Sequence, residues 1–140
     1  MRKKAEQKGK AKKAPEGTVV KRSYAGLGLF ATRPYRRGER VVEYVGRTLS
    51  EKEAETSSSL YLFYISPERT VDGKPRMNPA GYINHSCRPN CEVTIWRGHI
   101  YIKATKRIRP GEEFSYDYGG EYFDEHIKPY GCRCPKCKRG

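Results

Sequence analysis

Three cysteines stand close together near the C-terminal end, in Cys132-Arg133-Cys134-Pro135-Lys136-Cys137. The chain holds five cysteines, an odd number. Thiols clustered at this spacing favour zinc over disulfides in a chain expected to be intracellular. A second concentration lies in Gly81-Tyr82-Ile83-Asn84-His85-Ser86-Cys87-Arg88-Pro89-Asn90-Cys91, polar and metal-capable where a plain core element would hold aliphatics. Asn, Ser and Pro favour loops, so Asn84, His85, Ser86 and Cys87 are expected on irregular backbone just after a short apolar run. Ser86 beside His85 would suit a hydrolase nucleophile, but no Gly-x-Ser-x-Gly elbow surrounds it. A third stretch, Gly111-Glu112-Glu113-Phe114-Ser115-Tyr116-Asp117-Tyr118-Gly119, sets two tyrosines on either side of an aspartate. Gly26-Leu27-Gly28-Leu29-Phe30-Ala31 fits the dinucleotide fingerprint by letter. Those glycines must open a helix that receives a pyrophosphate. Here Pro34 and Gly38 interrupt the segment and residues 40–45 are β-rich, so that reading is set aside.

The elements that must position these groups are mostly short strands. Residues 18–22 have strand character, as do 60–65. Residues 91–96 and 99–103 alternate around Arg97-Gly98, which predicts a hairpin. Ser50 with Glu53 three positions later predicts a capped helix over 50–56. Asn78-Pro79 reads as an N-cap with Pro at the first helical position of a turn over 79–83. Lys106 to Pro110 reads as a basic turn, and residues 121–126 as a helical turn before the cysteines. Residues 1–16 are basic, with no aromatic side chain, and are expected to form a disordered tail. The formal net charge is +13, which suits acidic partners such as nucleic acid or chromatin. No apolar run approaches the roughly 20 residues of a membrane-spanning helix, and the N-terminus lacks the apolar core of a signal peptide.

Taken in order, four motifs resemble those of the SET-domain protein lysine methyltransferases: the Gly26–Ala31 motif, Tyr82-Ile83-Asn84-His85-Ser86-Cys87 with Pro89-Asn90, Glu113-Phe114-Ser115-Tyr116-Asp117-Tyr118-Gly119, and the terminal cysteines. The resemblance implies a mostly β fold of several small sheets with a C-terminal pseudoknot and a few short helices. It implies a SET domain over 17–120 and a zinc-binding post-SET segment over 121–140, with no recognisable pre-SET region. It makes Tyr118 the catalytic tyrosine and Tyr116 the residue at the phenylalanine/tyrosine switch position. Tyr61 becomes a wall of the target-lysine channel. Gly26, Leu27, Gly28, Asn84, His85 and Tyr118 become contacts of S-adenosylmethionine, with Tyr130, or else Tyr122, as the aromatic that packs on it. Cys87 joins Cys132, Cys134 and Cys137 as the fourth zinc ligand. The family usually has four residues where two separate Cys134 from Cys137. Cys91 remains a free thiol.

The chemistry agrees with the residue types. Lysine, with a pKa near 10.4, is mostly protonated at neutral pH. A narrow, partly dry channel disfavours the ammonium. Tyrosine suits its walls, since the ring excludes water and the hydroxyl orients an amine. The expected function is S-adenosylmethionine-dependent mono- or dimethylation of lysine on a histone or another basic protein. Glu112, Glu113, Asp117, Glu121, Asp124 and Glu125 are expected to supply an acidic patch for such a substrate. A weak nucleic-acid contact through the basic tail is also expected. The compartment would be chromatin in a eukaryote and cytoplasm in a bacterium. The rival reading is a catalytically inactive, zinc-containing chromatin- or nucleic-acid-binding module.

Overall fold

The structure, a computed structural model describing residues 14–139, is carried by short strands. They are β1 (Thr18–Ser23), β2 (Gly26–Ala31), β3 (Arg40–Tyr44), β4 (Arg47–Leu49), β5 (Leu62–Ser66), β6 (Arg69–Asp72), β7 (Asn84–His85), β8 (Cys91–Trp96), β9 (His99–Ala104) and β10 (Ser115–Tyr116). Helices are few. α1 (Glu51–Thr56) follows β4, and a 3-10 turn (Pro79–Tyr82) precedes β7. After β10 come α2 (Gly120–Tyr122), a π-helical stretch (Phe123–Ile127), a 3-10 turn (Lys128–Tyr130) and finally α3 (Pro135–Arg139). The strands make four small sheets: β1–β2, β3–β9–β8, β4–β6–β5 and the parallel pair β7–β10. The chain thus adopts the mostly β class that the resemblance implies.

Local sequence explains the antiparallel pieces. β8 and β9 pair in full register from Cys91↔Ala104 to Trp96↔His99. Arg97 (φ 50°) and Gly98 (φ 80°) turn the chain between them, the left-handed pair that a two-residue I′ turn requires. α1 carries both halves of its capping box: Glu53 N–H donates to Ser50 Oγ at 3.2 Å, and Ser50 N–H to Glu53 Oε1 at 3.0 Å. The strand expected over 60–65 begins later, so Tyr61 lies just outside β5.

The core gathers around Leu29, Ile100, Ile102, Ile108 and Phe114, all 1% exposed or less, with Tyr35 edge-on to Phe114 at 5.2 Å between ring centroids. On this base the C-terminal segment interlocks with the polar loop. β10 lies parallel to β7, a pairing too short to persist alone. Asn90 fastens it, donating from Nδ2 to the Glu113 carbonyl at 2.9 Å and accepting at Oδ1 from Ser115 N–H at 2.9 Å.

Residues 1–13, most of the expected basic tail, lie outside the described residues. Ala14, assigned to that tail, packs against the core, and Pro15 offers its carbonyl to Thr18 N–H at 3.0 Å.

Asn78 departs from its expected role. It precedes the 3-10 turn with Pro79 at the first position, but its side chain makes no cap. Completely buried, it accepts from Val45 N–H at 3.0 Å and donates to the Gly73 carbonyl at 2.8 Å. One amide thereby satisfies a backbone group just after β3 and another just after β6. Asn78→Ala would leave both unpaired in the interior, and each such group costs about 1–3 kcal/mol. A loss of about 2–5 kcal/mol is expected in urea unfolding, while Asn90→Ala, at a half-buried position, loses less.

Candidate active site

The polar loop and the tyrosine pair converge because β7 and β10 are neighbours. His85 pairs with Tyr116 across them, and Ser86 N–H donates to the Tyr116 carbonyl at 3.2 Å. The buried His85 ring accepts at Nδ1 from Tyr118 N–H at 3.1 Å, which fixes the backbone where the second tyrosine leaves the strand. Burial lowers the pKa of His85, with Asp117 opposing, so the neutral imidazole that accepts this bond is favoured. The histidine is a structural clamp here.

The tyrosines line a cavity of about 440 Å3 with Tyr61, Tyr44, Tyr122, Leu27 and Asn84. Tyr118 packs against Tyr116 at 4.9 Å between centroids and edge-on against Tyr122 at 5.1 Å. Its hydroxyl donates to the Ile83 carbonyl. Burial, reinforced by the neighbouring phenols of Tyr116 and Tyr122, pushes the Tyr118 pKa far above the ordinary tyrosine value. The same desolvation raises Tyr116. Both are neutral hydroxyls near pH 7 and act as hydrogen-bonding groups. Tyr44 anchors the far wall by donating to the Tyr61 carbonyl at 2.6 Å, which holds Tyr61 at the cavity although it is 37% exposed.

The two glycines of the opening motif have different reasons. Gly26 has φ 97°, and a Cβ on it would meet nothing; its backbone turn is what requires glycine. Gly28 lies under the Glu113 carboxylate, and a Cβ there would overlap it. The close approach at Gly28 is thus made by the protein itself. Glu113 accepts from Ser23 Oγ at 2.6 Å and from Asn84 Nδ2 at 3.0 Å, and Asn84 Nδ2 also donates to the Leu27 carbonyl at 3.0 Å. This carboxylate, which the sequence offered only as part of an acidic patch, sets the orientation of Asn84. Glu112, though exposed, is also engaged, accepting from Arg109 N–H at 2.6 Å within its own turn.

Cys87, Cys132, Cys134 and Cys137 come together with all four sulfurs within 4.8 Å of one another. Cys87 Sγ lies 4.0 Å from Cys132 and 3.6 Å from Cys137. A tetrahedron with zinc–sulfur arms of about 2.3 Å has edges of about 3.8 Å, so the donor set fits that ion in size and chemistry. The two-residue spacing between Cys134 and Cys137 spans the start of α3 without opening the cluster. Cys134 is fully buried, and although burial opposes it, hydrogen bonds from the Cys87 and Cys137 amides bring its pKa down to about 6. Cys91 is buried in β8, away from this cluster, and burial pushes its thiol up to about 12.

The aromatic expected to cover the site is not brought there at Tyr130, which is 84% exposed. Tyr122 stands against Tyr118 instead, and Phe123 against His85 at 5.4 Å.

Residues 26–119 match the SET domain family model. Histone-lysine N-methyltransferase trithorax of Drosophila virilis is 38% identical over 126 residues, covering 81% of this chain and 3% of that protein. Human histone-lysine N-methyltransferase 2D is 35% identical over 127 residues, covering 81% of this chain and 2% of that protein. Arabidopsis thaliana histone-lysine N-methyltransferase ASHH3 is 31% identical over 132 residues, and the match takes in 36% of its length. The chain therefore spans a small part of these relatives. Among solved structures, a humanized mutant of the Chaetomium thermophilum Polycomb Repressive Complex 2 superposes with TM-score 0.66 at 31% identity, covering 76% of this chain and 15% of that one. A match over two thirds of the sequence, which takes in Asn84, Tyr116 and Tyr118 of the tyrosine cavity, makes this chain a member of the SET-domain family.

Proposed function

We propose that the chain is an S-adenosylmethionine-dependent protein lysine methyltransferase that carries one structural zinc ion and acts on a histone or another basic protein. The observation that carries this reading is the cavity in which Tyr118, Tyr116, Tyr61, Tyr44 and Tyr122 surround one volume beside Asn84. S-Adenosylmethionine, when bound, supplies an electrophilic methyl on a sulfonium. Gly26, Leu27, Asn84, His85 and Tyr118 are the residues to hold it, with Gly28 making room for Glu113 behind Asn84 and Tyr122 in the covering role expected of Tyr130. Asn84 gives its N–H groups to Glu113 and Leu27, so its carbonyl is the group it contributes to a ligand's ammonium.

The protein's task is to present the lysine as a neutral, aligned amine. Aromatic walls desolvate the ammonium and so lower its pKa. The Tyr118 hydroxyl spends its proton on the Ile83 carbonyl, leaving oxygen lone pairs to accept from the amine. Holding both reactants in one enclosure removes much of the entropic cost of their encounter. The zinc residues are Cys87, Cys132, Cys134 and Cys137, and the segment after residue 120 serves as the post-SET element. A histone substrate would put the activity on chromatin. Among the described residues no helix is long and apolar enough to cross a membrane.

The test is transfer of labelled methyl to core histones or to a lysate of the source organism, with products read by mass spectrometry. Methyl-lysine formation supports the reading. Absence of both transfer and cofactor binding would move the chain to the binding-module alternative. Product state adds a second check. The Tyr116 hydroxyl takes up space beside Tyr118 and hinders rotation of an already methylated amine, so the unmodified enzyme should stop at mono- or dimethyl-lysine. Tyr116→Phe should shift the product toward higher methylation without raising the first-transfer rate. Efficient trimethylation by the unmodified chain would contradict this role.

A further inference from the structure

Two basic runs distant in sequence, Arg33-Pro34-Tyr35-Arg36-Arg37 and Lys106-Arg107-Ile108-Arg109, are zipped side by side. Tyr35 N–H donates to the Ile108 carbonyl at 2.9 Å, and Ile108 N–H returns the bond at 3.0 Å. Gly38 N–H to Ala104 O at 2.7 Å and Ala104 N–H to Glu39 O at 2.9 Å continue the zipper. Tyr35 and Ile108 point into the core, 1% and 0% exposed. Alternation along extended backbone therefore turns Arg36, Arg107 and Arg109 outward, and Arg37 and Lys106, in the adjoining turn and bend, are exposed as well.

Two clefts open on this face and share Arg107. One, of about 870 Å3, is lined by Arg33, Arg36, Arg37 and Glu39. The other, of about 610 Å3, is lined by Arg88, Lys106 and Lys136 with Glu112 and Glu113. The three carboxylates here are already engaged. Glu39 binds Arg33 at 2.7 Å, Glu112 binds the Arg109 amide, and Glu113 binds Ser23 and Asn84. Arg37, Arg88, Lys106, Arg107, Arg109 and Lys136 enter no ion pair among the described residues. The face offers no open stacking platform: Tyr35 is buried under the Arg33 guanidinium at 3.9 Å, Tyr24 in the wall of the second cleft is half-buried with its hydroxyl tied to the His85 carbonyl at 2.7 Å, and the exposed aromatics Tyr64, Trp96 and Tyr130 line neither cleft. Single-stranded nucleic acid is held by base stacking on such platforms. Guanidinium groups without them suit phosphates, which they bind bidentately.

We propose that the face built by residues 33–39 and 104–109 docks the phosphate backbone of duplex DNA. Contacts of this kind position a protein without reading sequence. Glu113 lines one of these clefts and holds Asn84 of the tyrosine cavity, so the two sites adjoin.

The test is a salt titration of binding by the full chain to a labelled mixed-sequence duplex, read by fluorescence anisotropy. Each neutralised phosphate contributes about 0.9 to the slope of log K against log salt. The triple variant Arg36→Gln, Arg37→Gln, Arg107→Gln should lose nearly three such contributions and bind at least about tenfold more weakly at low salt. A second triple, Lys52→Gln, Lys74→Gln, Lys128→Gln, removes the same charge from other exposed positions and should keep the slope. The basic N-terminal residues are present in both, so their contribution cancels. Equal losses in the two variants would reduce the effect to net charge and overturn the proposal. A single strand of equal length that outcompetes the duplex would overturn it as well.

Discussion

Zinc removal is expected to release the whole segment after Gly119 and to abolish methyl transfer while the β3–β9–β8 sheet stays folded. The reason lies in how little else holds that segment. Its helical pieces are three to five residues long, far short of the roughly 12–15 residues at which an isolated helix becomes even marginal in water. Cys134 is its one fully buried apolar side chain among the described residues. Tyr122 on Tyr118 and Phe123 on His85 are its principal packing contacts with the domain. Cys87, on the loop after β7, is the one sulfur of the four that the domain itself contributes. Structural zinc sites in small peptides contribute about 10–16 kcal/mol of apparent binding energy at neutral pH, more than this packing can replace.

Native mass spectrometry should find one zinc per chain. Cys87→Ser should lose that zinc and expose the segment to proteolysis, with methyl transfer falling at least about a hundredfold as the wall at Tyr122 disperses. Cys91→Ser is the control, since Cys91 lies in the sheet and should leave metal content unchanged. A chain that is metal-free, folded to its end and fully active would refute the assignment.

The parts of this structure legible in the sequence are those whose signals are local. The β8–β9 hairpin follows from alternation and Arg97-Gly98, and the α1 capping box from Ser50 and Glu53. The cysteine cluster is visible because three of its four members are neighbours; Cys87 entered only through the family resemblance. What escaped was set by partners far along the chain. Gly28 has the look of a cofactor-approach glycine, but the atom above it belongs to Glu113, and no local pattern announces that pairing. Asn78 before a proline carries every mark of a cap, yet its amide is drawn to Val45 and Gly73. β7 and β10 are two residues each, too short for any periodicity to register. Tyr122 and Tyr130 are equally aromatic on paper; the helical path from Gly120 turns one inward and leaves the other in solvent.

Tyr118→Phe is expected to lower kcat for methyl transfer at least about a hundredfold, with little change in KM for the substrate and a stability loss of about 1–3 kcal/mol from the unpaired Ile83 carbonyl. Removing one preorganised hydrogen-bonding group from an enclosed site typically costs about 10²–10³ in rate, or about 2.7–4 kcal/mol of barrier. Here the loss should be selective, because the ring that packs between Tyr116 and Tyr122 is retained and only the oxygen that meets the amine is gone. The Ile83 carbonyl, deprived of its donor, would relax toward the cavity and add to the loss. The pH profile separates this role from that of a general base. Burial keeps the phenol protonated well above neutral pH, so the rise in rate with pH reflects the lysine shedding its proton. The variant should therefore lower the whole profile without displacing its ascending limb. A limb that moves in Tyr118→Phe would mean that the tyrosine itself takes the proton. An unchanged rate would mean that alignment comes from the channel walls alone, in which case Tyr61→Ala and Tyr122→Ala, which open those walls, should carry the larger effect.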